Sequence, residues 1–396
     1  MSSDLTGVAP SALAGAVDPD DDYLTVALLC AGLAEILRRR ERAAAGEKNA
    51  EGILPSSWRS GFARLWWRCF ADGVPAVEDD LRLLGLCAEP MVTWPVALAL
   101  SEIDLQQTLL VGERLSEFAE QGARLSRGDV EAEWVENRVH EALRSTASAN
   151  GSTPQEVEAA YAYLRRYLID HAVIADRSVQ TLERRFRAHD AAGRTYVRRL
   201  VEAAYRSRTV VGVQRFLLCP ACRNPVEDAA CDCGTPGCPG GSAVELLLEP
   251  LAAVYEQHRA TRLYVHDPGL VEARIMDALS TEKLAGRVRI TPYPGVDQVD
   301  VLIEFLSPDA GSVVVESWGV DAKDQVSARL LGRGFVWPKE FRCDRRLLAL
   351  PMHRAKQPGY IDDLKAEMDG RVAGVQVIDE NRLIKQVKRR AGELHG

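Results

Sequence analysis

An aspartate and a lysine two residues apart follow a long apolar, β-branched run in the C-terminal part of the chain. They are Asp321 and Lys323, in the stretch SVVVESWGVDAKDQ of residues 312–325. Lysine is rare here, because only eight of the 49 Lys and Arg residues are lysines. An arginine is always charged, whereas a partly buried lysine can give up a proton. The lysine at position 323 therefore indicates chemistry that needs an amine.

A second aspartate is predicted to reach the same point. Asp300 heads another apolar run, and the turn SPDAG folds that run back onto the first as a β-hairpin. Residues two apart on a strand share one face, so Asp321 and Lys323 lie on the same side of the sheet. Oxygen ligands can hold Mg²⁺, which polarises a phosphate and acidifies water, while a lysine orients or deprotonates that water. We therefore predict a nuclease with Asp300 and Asp321 as Mg²⁺ ligands and Lys323 as the catalytic amine.

The chain contains a second acidic residue two positions before a lysine. Asp363 and Lys365 lie in YIDDLKAEM, which has the pattern of an amphipathic helix. Residues two apart on a helix do not face each other. This pair is predicted to lie on a solvated helix face.

Five cysteines crowd into one short segment, and they are Cys219, Cys222, Cys231, Cys233 and Cys238. A Cys-x-x-Cys knuckle followed by a second cysteine pair predicts a tetrahedral zinc site between two ribbon strands. We predict Cys219, Cys222, Cys233 and Cys238 as ligands, with Cys231 as the alternative to Cys233. Four thiolates leave no open position for water, so the zinc is predicted to be structural. A redox Cys-x-x-Cys is the alternative, and it leaves the remaining cysteines unexplained.

The elements that must position these residues divide the chain by composition. Helical patterning dominates to about residue 209, and after about residue 250 short apolar runs alternate with amphipathic stretches, as in an α/β layer fold. The predicted fold class is multidomain α plus α/β, with a helical N-terminal half, a small zinc ribbon and a C-terminal α/β domain. The predicted boundaries are a mobile acidic tail at 1–22, a helical domain at 23–147, a helical subdomain at 153–210, a zinc ribbon at 211–247 and a nuclease domain at 248–396.

The clearest helix start follows the predicted linker SANGST at 148–153. Thr153 is a candidate N-cap, Pro154 fits the first helical position, and Glu156 completes a capping box. The helices from Pro154 onward fit a packing module, and a helix-turn-helix that binds DNA is the alternative.

Aromatic and basic residues alternate in WRSGFARLWWRCF, Trp58 to Phe70. This mixture suits a nucleic-acid surface, but at helical spacing Trp66, Trp67 and Phe70 are more typical of a hydrophobic core. We predict that they are core residues.

The order of the C-terminal motifs resembles the PD-(D/E)xK restriction-endonuclease-like superfamily. Asp300 is followed by Asp321-Ala-Lys323 on the next strand, with PGLVEARIMDAL before them and DQVSARLLGRG after them. The resemblance implies a mixed central sheet flanked by helices, and it implies Glu272 on the first helix as a further metal ligand at the catalytic site. Two departures, which that superfamily tolerates, are the missing proline before Asp300 and an Asp in place of the commoner Glu at 321.

The whole architecture is similar to the restriction-endonuclease-like proteins associated with prokaryotic PIWI-type defence modules. This similarity implies a PIWI-like nuclease and a helicase as partners, and invading nucleic acid, DNA more than RNA, as the target. It leaves open whether the protein is a homodimer.

The charge and hydropathy of the sequence exclude some classes of protein. A formal charge of −8 and a pI near 5.6 argue against a protein that coats nucleic acid nonspecifically. The sequence shows no signal-peptide pattern and no apolar run long enough for a bilayer, so we predict a cytoplasmic protein. The rival hypothesis is an inactive nucleic-acid-binding adaptor that docks a partner nuclease or helicase, and a sulfur-based redox enzyme comes third.

Overall fold

The structure is a computed structural model, and it describes residues 21–44, 54–125, 130–209, 214–226, 233–248, 253–309, 311 and 313–396. The chain divides into two compact units, Met1–Asp129 and Val130–Gly396. The predicted tail at 1–22 lies outside the described residues except for its last two positions.

The N-terminal unit is mainly helical. Its helices are α1 Asp22–Ala44, α2 Ser56–Ala71, α3 Asp80–Cys87, α4 Glu102–Leu105 and α5 Glu117–Leu125, with a 3₁₀ turn at Met91–Thr93. Two short strands, β1 Leu110–Val111 and β2 Arg114–Leu115, pair as an antiparallel hairpin. α1 packs against α2 and α5, and its buried Leu29 and Leu33 contribute to the core of this unit.

The prediction that Trp66, Trp67 and Phe70 of α2 are core residues is wrong. Trp66, Trp67 and Phe70 are 41%, 63% and 64% exposed. The rings of Trp66 and Phe70 stack at 5.8 Å, and Trp67 meets both rings edge-on. The physical reason is that another stripe of the helix is buried, and it consists of Trp58, Gly61, Leu65 and Cys69.

The C-terminal unit contains the remaining elements. Its helices are α6 Val130–Asn150, α7 Pro154–Asp170, α8 Asp176–Arg185, α9 Tyr196–Ala204, α10 Arg259–Thr261, α11 Asp267–Leu279, the irregular turn α12 Pro294–Asp297, α13 Ala328–Gly334, α14 Met352–Ala355, α15 Tyr360–Met368 and α16 Glu380–Leu394, and a π-helical turn spans Arg262–His266. Its strands are β3 Val173–Ala175, β4 Tyr205–Thr209, β5 Gln214–Leu218, β6 Pro225–Val226, β7 Val244–Leu248, β8 Ala253–Gln257, β9 Val288–Pro292, β10 Val301–Leu306, β11 Val314–Ala322, β12 Arg345–Leu350 and β13 Val375–Asp379.

A five-stranded mixed sheet forms the centre of the C-terminal part. Its strand order is β13-β12-β11-β10-β9. β9, β10 and β11 are antiparallel neighbours, whereas β11, β12 and β13 run parallel. α11 and α16 share one core cluster with Val320 and Ala322, and α13 and α15 share another with Leu348 and Leu350. The mixed central sheet between helices is therefore as predicted.

The region predicted as a helical subdomain at 153–210 also contains strands. β3 and β4 flank β8 in a three-stranded antiparallel sheet. β3 separates α7 from α8, and α8 ends at Arg185 while α9 begins only at Tyr196. The short turn that a helix-turn-helix needs is therefore missing from this described segment. The pairing partner β8 lies far along the chain, so no local pattern announces it.

Only the second half of the predicted linker at 148–153 lies outside a helix, because α6 continues to Asn150 and residues 151–153 form a tight turn before α7. α6 and α7 pack against each other within the C-terminal unit, and the division between the two units falls earlier, after Asp129. The capping box at the start of α7 is confirmed, because Thr153 accepts from the Glu156 amide and the Glu156 carboxylate accepts from the Thr153 amide.

The runs that flank the cysteines form the predicted ribbon strands. β5 pairs antiparallel with both β6 and β7 in a second three-stranded sheet. Among the helices that the structure describes, none has the length and hydropathy needed to cross a membrane.

Candidate active site

Asp300, Asp321 and Lys323 meet where two neighbouring strands join. Asp300 immediately precedes β10, which is the antiparallel partner of β11. The Asp300 amide donates to the Val320 carbonyl at 3.1 Å, and the Ala322 amide donates to Asp300 Oδ2 at 2.6 Å. The predicted hairpin therefore brings these three predicted site residues together.

Lys323 contacts both carboxylates. Its Nζ donates a hydrogen bond to Asp321 Oδ1 and lies 3.8 Å from Asp300 Oδ2. Burial disfavours the charged amine, but the attraction of Asp321 and Asp300 outweighs burial and raises the pKa of Lys323. The Lys323 side chain is 33% exposed, so this protonated amine is accessible from solvent.

The surroundings of Asp300 disfavour the charged form of its carboxyl group. Burial raises the pKa of Asp300 well above its usual range, the negative charges of Glu272 and Asp321 raise it further, and Lys323 lowers it. A divalent cation at this point would offset these buried negative charges. The electrostatics of the site therefore fit a metal ion.

Glu272 projects from α11 and is 2% exposed. Tyr293 Oη donates to Glu272 Oε2 at 2.7 Å, and Arg165 Nη2 donates to Glu272 Oε1 at 3.3 Å. Both carboxylate oxygens thus already accept a hydrogen bond from the protein. The role of Glu272 as a metal ligand, implied by the superfamily resemblance, stays a prediction.

A further ion pair follows Lys323 directly. Asp324 Oδ1 accepts from Arg354 Nε at 2.8 Å and lies 3.1 Å from His353 Nε2. Burial raises the pKa of Asp324, but the hydrogen bond of His353 and the charge of Arg354 outweigh burial and lower it. This pair fixes α14 against the end of β11.

The cysteine segment forms the second candidate site. The structure brings Cys219, Cys222, Cys233 and Cys238 together, with all four Sγ atoms within 4.8 Å of one another. Within the described ranges of the chain, no other set of three or more His, Cys, Asp or Glu side chains is grouped in this way. Cys231, the predicted alternative, lies outside the described residues.

The local backbone favours a thiolate at Cys219, whereas burial raises the pKa of the Cys222 and Cys238 thiols. The Cys219 amide donates to the Asn224 carbonyl at 2.9 Å, and the Arg223 amide donates to the Cys219 carbonyl at 2.9 Å. Burial raises the pKa of the Cys219 thiol, but the amides of Cys222 and Ala221 outweigh burial and lower it to about 6. A thiolate is the form of cysteine that binds metal, so this donor set could hold a metal such as zinc.

The cysteine cluster rests on elements next to the carboxylates. His266 Nε2 lies 2.7 Å from the Cys222 carbonyl oxygen, and Asn224 Nδ2 donates to Asp267 Oδ1 at 2.9 Å. A Cβ at Gly237, whose φ is +64°, would clash with the His353 ring. The segment therefore contacts both α11 and α14.

Sequence reasoning missed Arg165, Tyr293 and the Asp324–Arg354 pair. Arg165 is 107 residues from Glu272 in the chain, and no local pattern signals such a contact. The Pro-Gly dipeptide after Tyr293 is a turn signal that could have pointed to the unusual backbone close to Asp300.

A mixed sheet between helices, with an aspartate and an Asp-x-Lys at the junction of two strands, is the arrangement of a restriction-endonuclease-like domain. Residues 269–395 match the model of a family described as an REase associating with pPIWI_RE. This segment includes Glu272, Asp300, Asp321 and Lys323, and it excludes the cysteine cluster. Neither the curated proteins nor the solved structures contain a match to the chain. The resemblance to the restriction-endonuclease-like protein of PIWI-type modules is thus confirmed for this segment.

Proposed function

We propose that the chain is a metal-dependent nuclease that hydrolyses phosphodiester bonds of nucleic acid, DNA more than RNA, within a prokaryotic PIWI-type defence module. The observation that carries this proposal is the meeting of Asp300, Asp321 and Lys323, inside the segment that matches the REase family. The family description supports the nuclease-like role and the association with a pPIWI partner.

Asp300 and Asp321 are the residues that would hold Mg²⁺. When bound, the metal would polarise the scissile phosphate and lower the pKa of an attacking water. The donor set fits, because carboxylate oxygens are ligands that Mg²⁺ prefers and a cation beside the buried Asp300 would favour its charged form.

Lys323 supplies a positive charge in this proposal rather than acting as a base. The two aspartates raise its pKa, so its amine is protonated at neutral pH. A protonated amine beside a scissile phosphate stabilises the negative charge that develops in the transition state. The ammonium is a compact point charge, whereas a guanidinium is a planar fork, so an arginine at this position would not be an equivalent replacement.

The four close cysteines form a structural zinc site in this proposal. All four potential ligands are thiols, and such closed sites stabilise a fold rather than activate water. The zinc would hold the β5–β7 ribbon against α11 and α14, next to the carboxylates.

The test is cleavage of labelled single- and double-stranded DNA and RNA with Mg²⁺ or Mn²⁺. We expect wild-type protein to cut with metal and a folded, zinc-loaded Lys323→Ala variant to lose at least about a hundredfold in rate, as when a group that stabilises transition-state charge is removed. Lys365→Ala is the matched control, because Lys365 has the same acid-x-Lys spacing on the exposed face of α15. Equal cleavage by wild type and Lys323→Ala would contradict the assignment.

A second candidate is the inactive adaptor that docks a partner nuclease or helicase. The exposed Trp66, Trp67 and Phe70 on α2 favour it, because exposed aromatic clusters are typical of binding surfaces. The same assay separates the two functions. An adaptor would bind nucleic acid with an affinity that Mg²⁺ does not change, and it would not cut.

A further inference from the structure

One face of α7 contacts the residues that surround the candidate metal site. Glu158, Tyr161 and Arg165 are spaced by three and four positions, so they lie on the same side of the helix. Tyr161 is fully buried, and Arg165 is 5% exposed. Each of the three makes a hydrogen bond to a residue between 272 and 297.

Two of these bonds hold the turn that leads into Asp300. Glu158 Oε1 accepts from the Gly295 amide at 2.9 Å, and Tyr161 Oη donates to Asp297 Oδ2 at 2.8 Å. His140 Nδ1 of α6 lies 3.6 Å from the same Asp297 oxygen. The turn is thus fastened at two points by helices that precede it by more than a hundred residues.

The backbone of this turn is strained. Tyr293, Val296 and Asp297 have φ values of 48°, 58° and 79°, in the left-handed region that non-glycine residues rarely adopt. Such a conformation in β-branched Val296 costs free energy and persists only where the surroundings impose it. The hydrogen bonds from α7 supply that restraint.

The third contact of α7 fixes Glu272. Arg165 Nη2 donates to Glu272 Oε1, and the Arg165 guanidinium lies 5.6 Å from the centre of the Tyr293 ring. Tyr293 in turn donates to the other Glu272 oxygen, and its ring packs edge-on against Tyr161 at 6.1 Å. One closed network thereby joins α7, α11 and the strained turn.

We propose that Glu158, Tyr161 and Arg165 of α7 form a clamp that positions the metal site, by holding the turn at 293–297 and the Glu272 carboxylate so that Asp300 meets Asp321 and Lys323. This proposal departs from the predicted metal-ligand role of Glu272: both of its carboxylate oxygens accept hydrogen bonds from the protein, so Glu272 acts as a positioning residue while Asp300 and Asp321 are the metal ligands. The inference rests on the proposed nuclease function. It adds a segment that lies outside residues 269–395, the part matched by the family model.

The clamp is tested by Mn²⁺ binding to the full-length, zinc-loaded chain, followed by the electron paramagnetic resonance signal of free Mn²⁺. We expect Arg165→Gln to weaken Mn²⁺ binding at least about tenfold and Tyr161→Phe about threefold, since each removes a hydrogen bond to a charged group near the site. Tyr161→Phe removes one hydroxyl only, so it remains informative if Arg165→Gln does not fold.

Arg165→Lys distinguishes positioning from general packing. Among the described residues, Arg165 Nε and Nη1 have no hydrogen-bond partner, and only Nη2 donates to Glu272. A lysine at this position can therefore supply both the positive charge and the one hydrogen bond that Arg165 makes to Glu272. We therefore expect Arg165→Lys to bind Mn²⁺ within about twofold of wild type, a loss smaller than the one expected when Tyr161→Phe removes a hydrogen bond to a charged group.

Arg166→Gln is the matched control on the same helix. Arg166 also reaches α11, where its two Nη atoms donate to Asp277 at 2.8 and 2.9 Å, but it does so at the surface. This variant should bind Mn²⁺ like wild type.

Three results separate the hypotheses. Unchanged or tighter Mn²⁺ binding by Arg165→Gln and Tyr161→Phe, with binding lost in Asp321→Asn, would overturn the clamp and leave the nuclease site intact. Weaker binding in Arg166→Gln equal to that in Arg165→Gln would also overturn it. A wild-type protein whose Mn²⁺ binding is the same as that of Asp321→Asn would overturn the proposed function together with the clamp.

Discussion

At the scale of single residues, closely spaced charges determine the protonation states of Lys323 and Asp324 at the candidate site. Lys323 lies between Asp321 and Asp300, and the next residue, Asp324, pairs with the buried Arg354. In both places, the interaction with a partner outweighs the cost of burial and keeps the side chain charged. Removing one partner is therefore expected to cost more than the pair contributes, because the remaining charge stays buried.

Asp324 provides a test of this point through pH. Its lowered pKa means that its carboxylate stabilises the fold above the unfolded-state value of about 4, and that this contribution is lost as pH falls through the lower folded-state pKa. We expect Asp324→Asn to lower the free energy of unfolding by about 3 kcal/mol at pH 7, since the buried Arg354 guanidinium loses the carboxylate charge that lies 2.8 Å from its Nε. Urea unfolding at pH 7 and below pH 4 measures the free energy of unfolding of both proteins. The difference between wild type and Asp324→Asn should be smaller at the low pH.

Asp369→Asn is the control for that experiment. Asp369 is exposed at the end of α15, so its replacement should change the unfolding free energy by less than about 0.5 kcal/mol at either pH. If the difference in unfolding free energy between wild type and Asp324→Asn is the same at both pH values, the charge of Asp324 is not the source of its stabilising effect.

At the scale of elements, the zinc that we propose at the cysteine cluster is expected to stabilise the β5–β7 ribbon. We expect one zinc per chain by elemental mass spectrometry, and Cys222→Ser or a strong chelator should remove it. The lost metal costs several kcal/mol, which lowers the melting temperature of a domain of this size by about 10 °C. Cys343→Ser is the control, because Cys343 is outside the cluster. A zinc-free wild type with an unchanged melting temperature would exclude a structural metal.

The exposed face of α2 gives a second prediction at this scale. Trp67→Ala should change the free energy of unfolding by no more than about 0.5 kcal/mol, because the side chain is mostly in solvent. Trp58→Ala, on the buried stripe of the same helix, should cost about 3–5 kcal/mol. Urea unfolding followed by circular dichroism compares the two variants. A large loss of unfolding free energy in Trp67→Ala would show that these aromatic residues contribute to the core.

The elements also show what sequence can and cannot predict. The strands that carry Asp300 and Asp321 were predictable, because apolar runs separated by turn residues specify a hairpin locally. The pairing of β3 and β4 with β8 was not, because its partner lies far along the chain. Helical periodicity placed Trp66 and Trp67 on a helix, but it could not say which of two apolar stripes the tertiary structure would bury.

At the scale of the whole molecule, the site uses more of the chain than the family match covers. Residues 269–395 contain the carboxylates and Lys323, whereas Arg165 and Tyr161 come from α7 of the same compact unit. These contacts join residues more than a hundred positions apart, so the nuclease motif alone could not reveal them. A variant limited to the matched segment would lack the side chains that fasten the turn before Asp300.

The most direct test of the central claim is the rate of nucleic-acid cleavage as Mg²⁺ is added, for wild type, Lys323→Ala, Lys365→Ala and Asp321→Asn. We predict that cleavage by wild type and Lys365→Ala rises with Mg²⁺ and saturates, and that Lys323→Ala and Asp321→Asn stay near background at every concentration. Cleavage by Asp321→Asn with the same Mg²⁺ dependence as wild type would contradict the account.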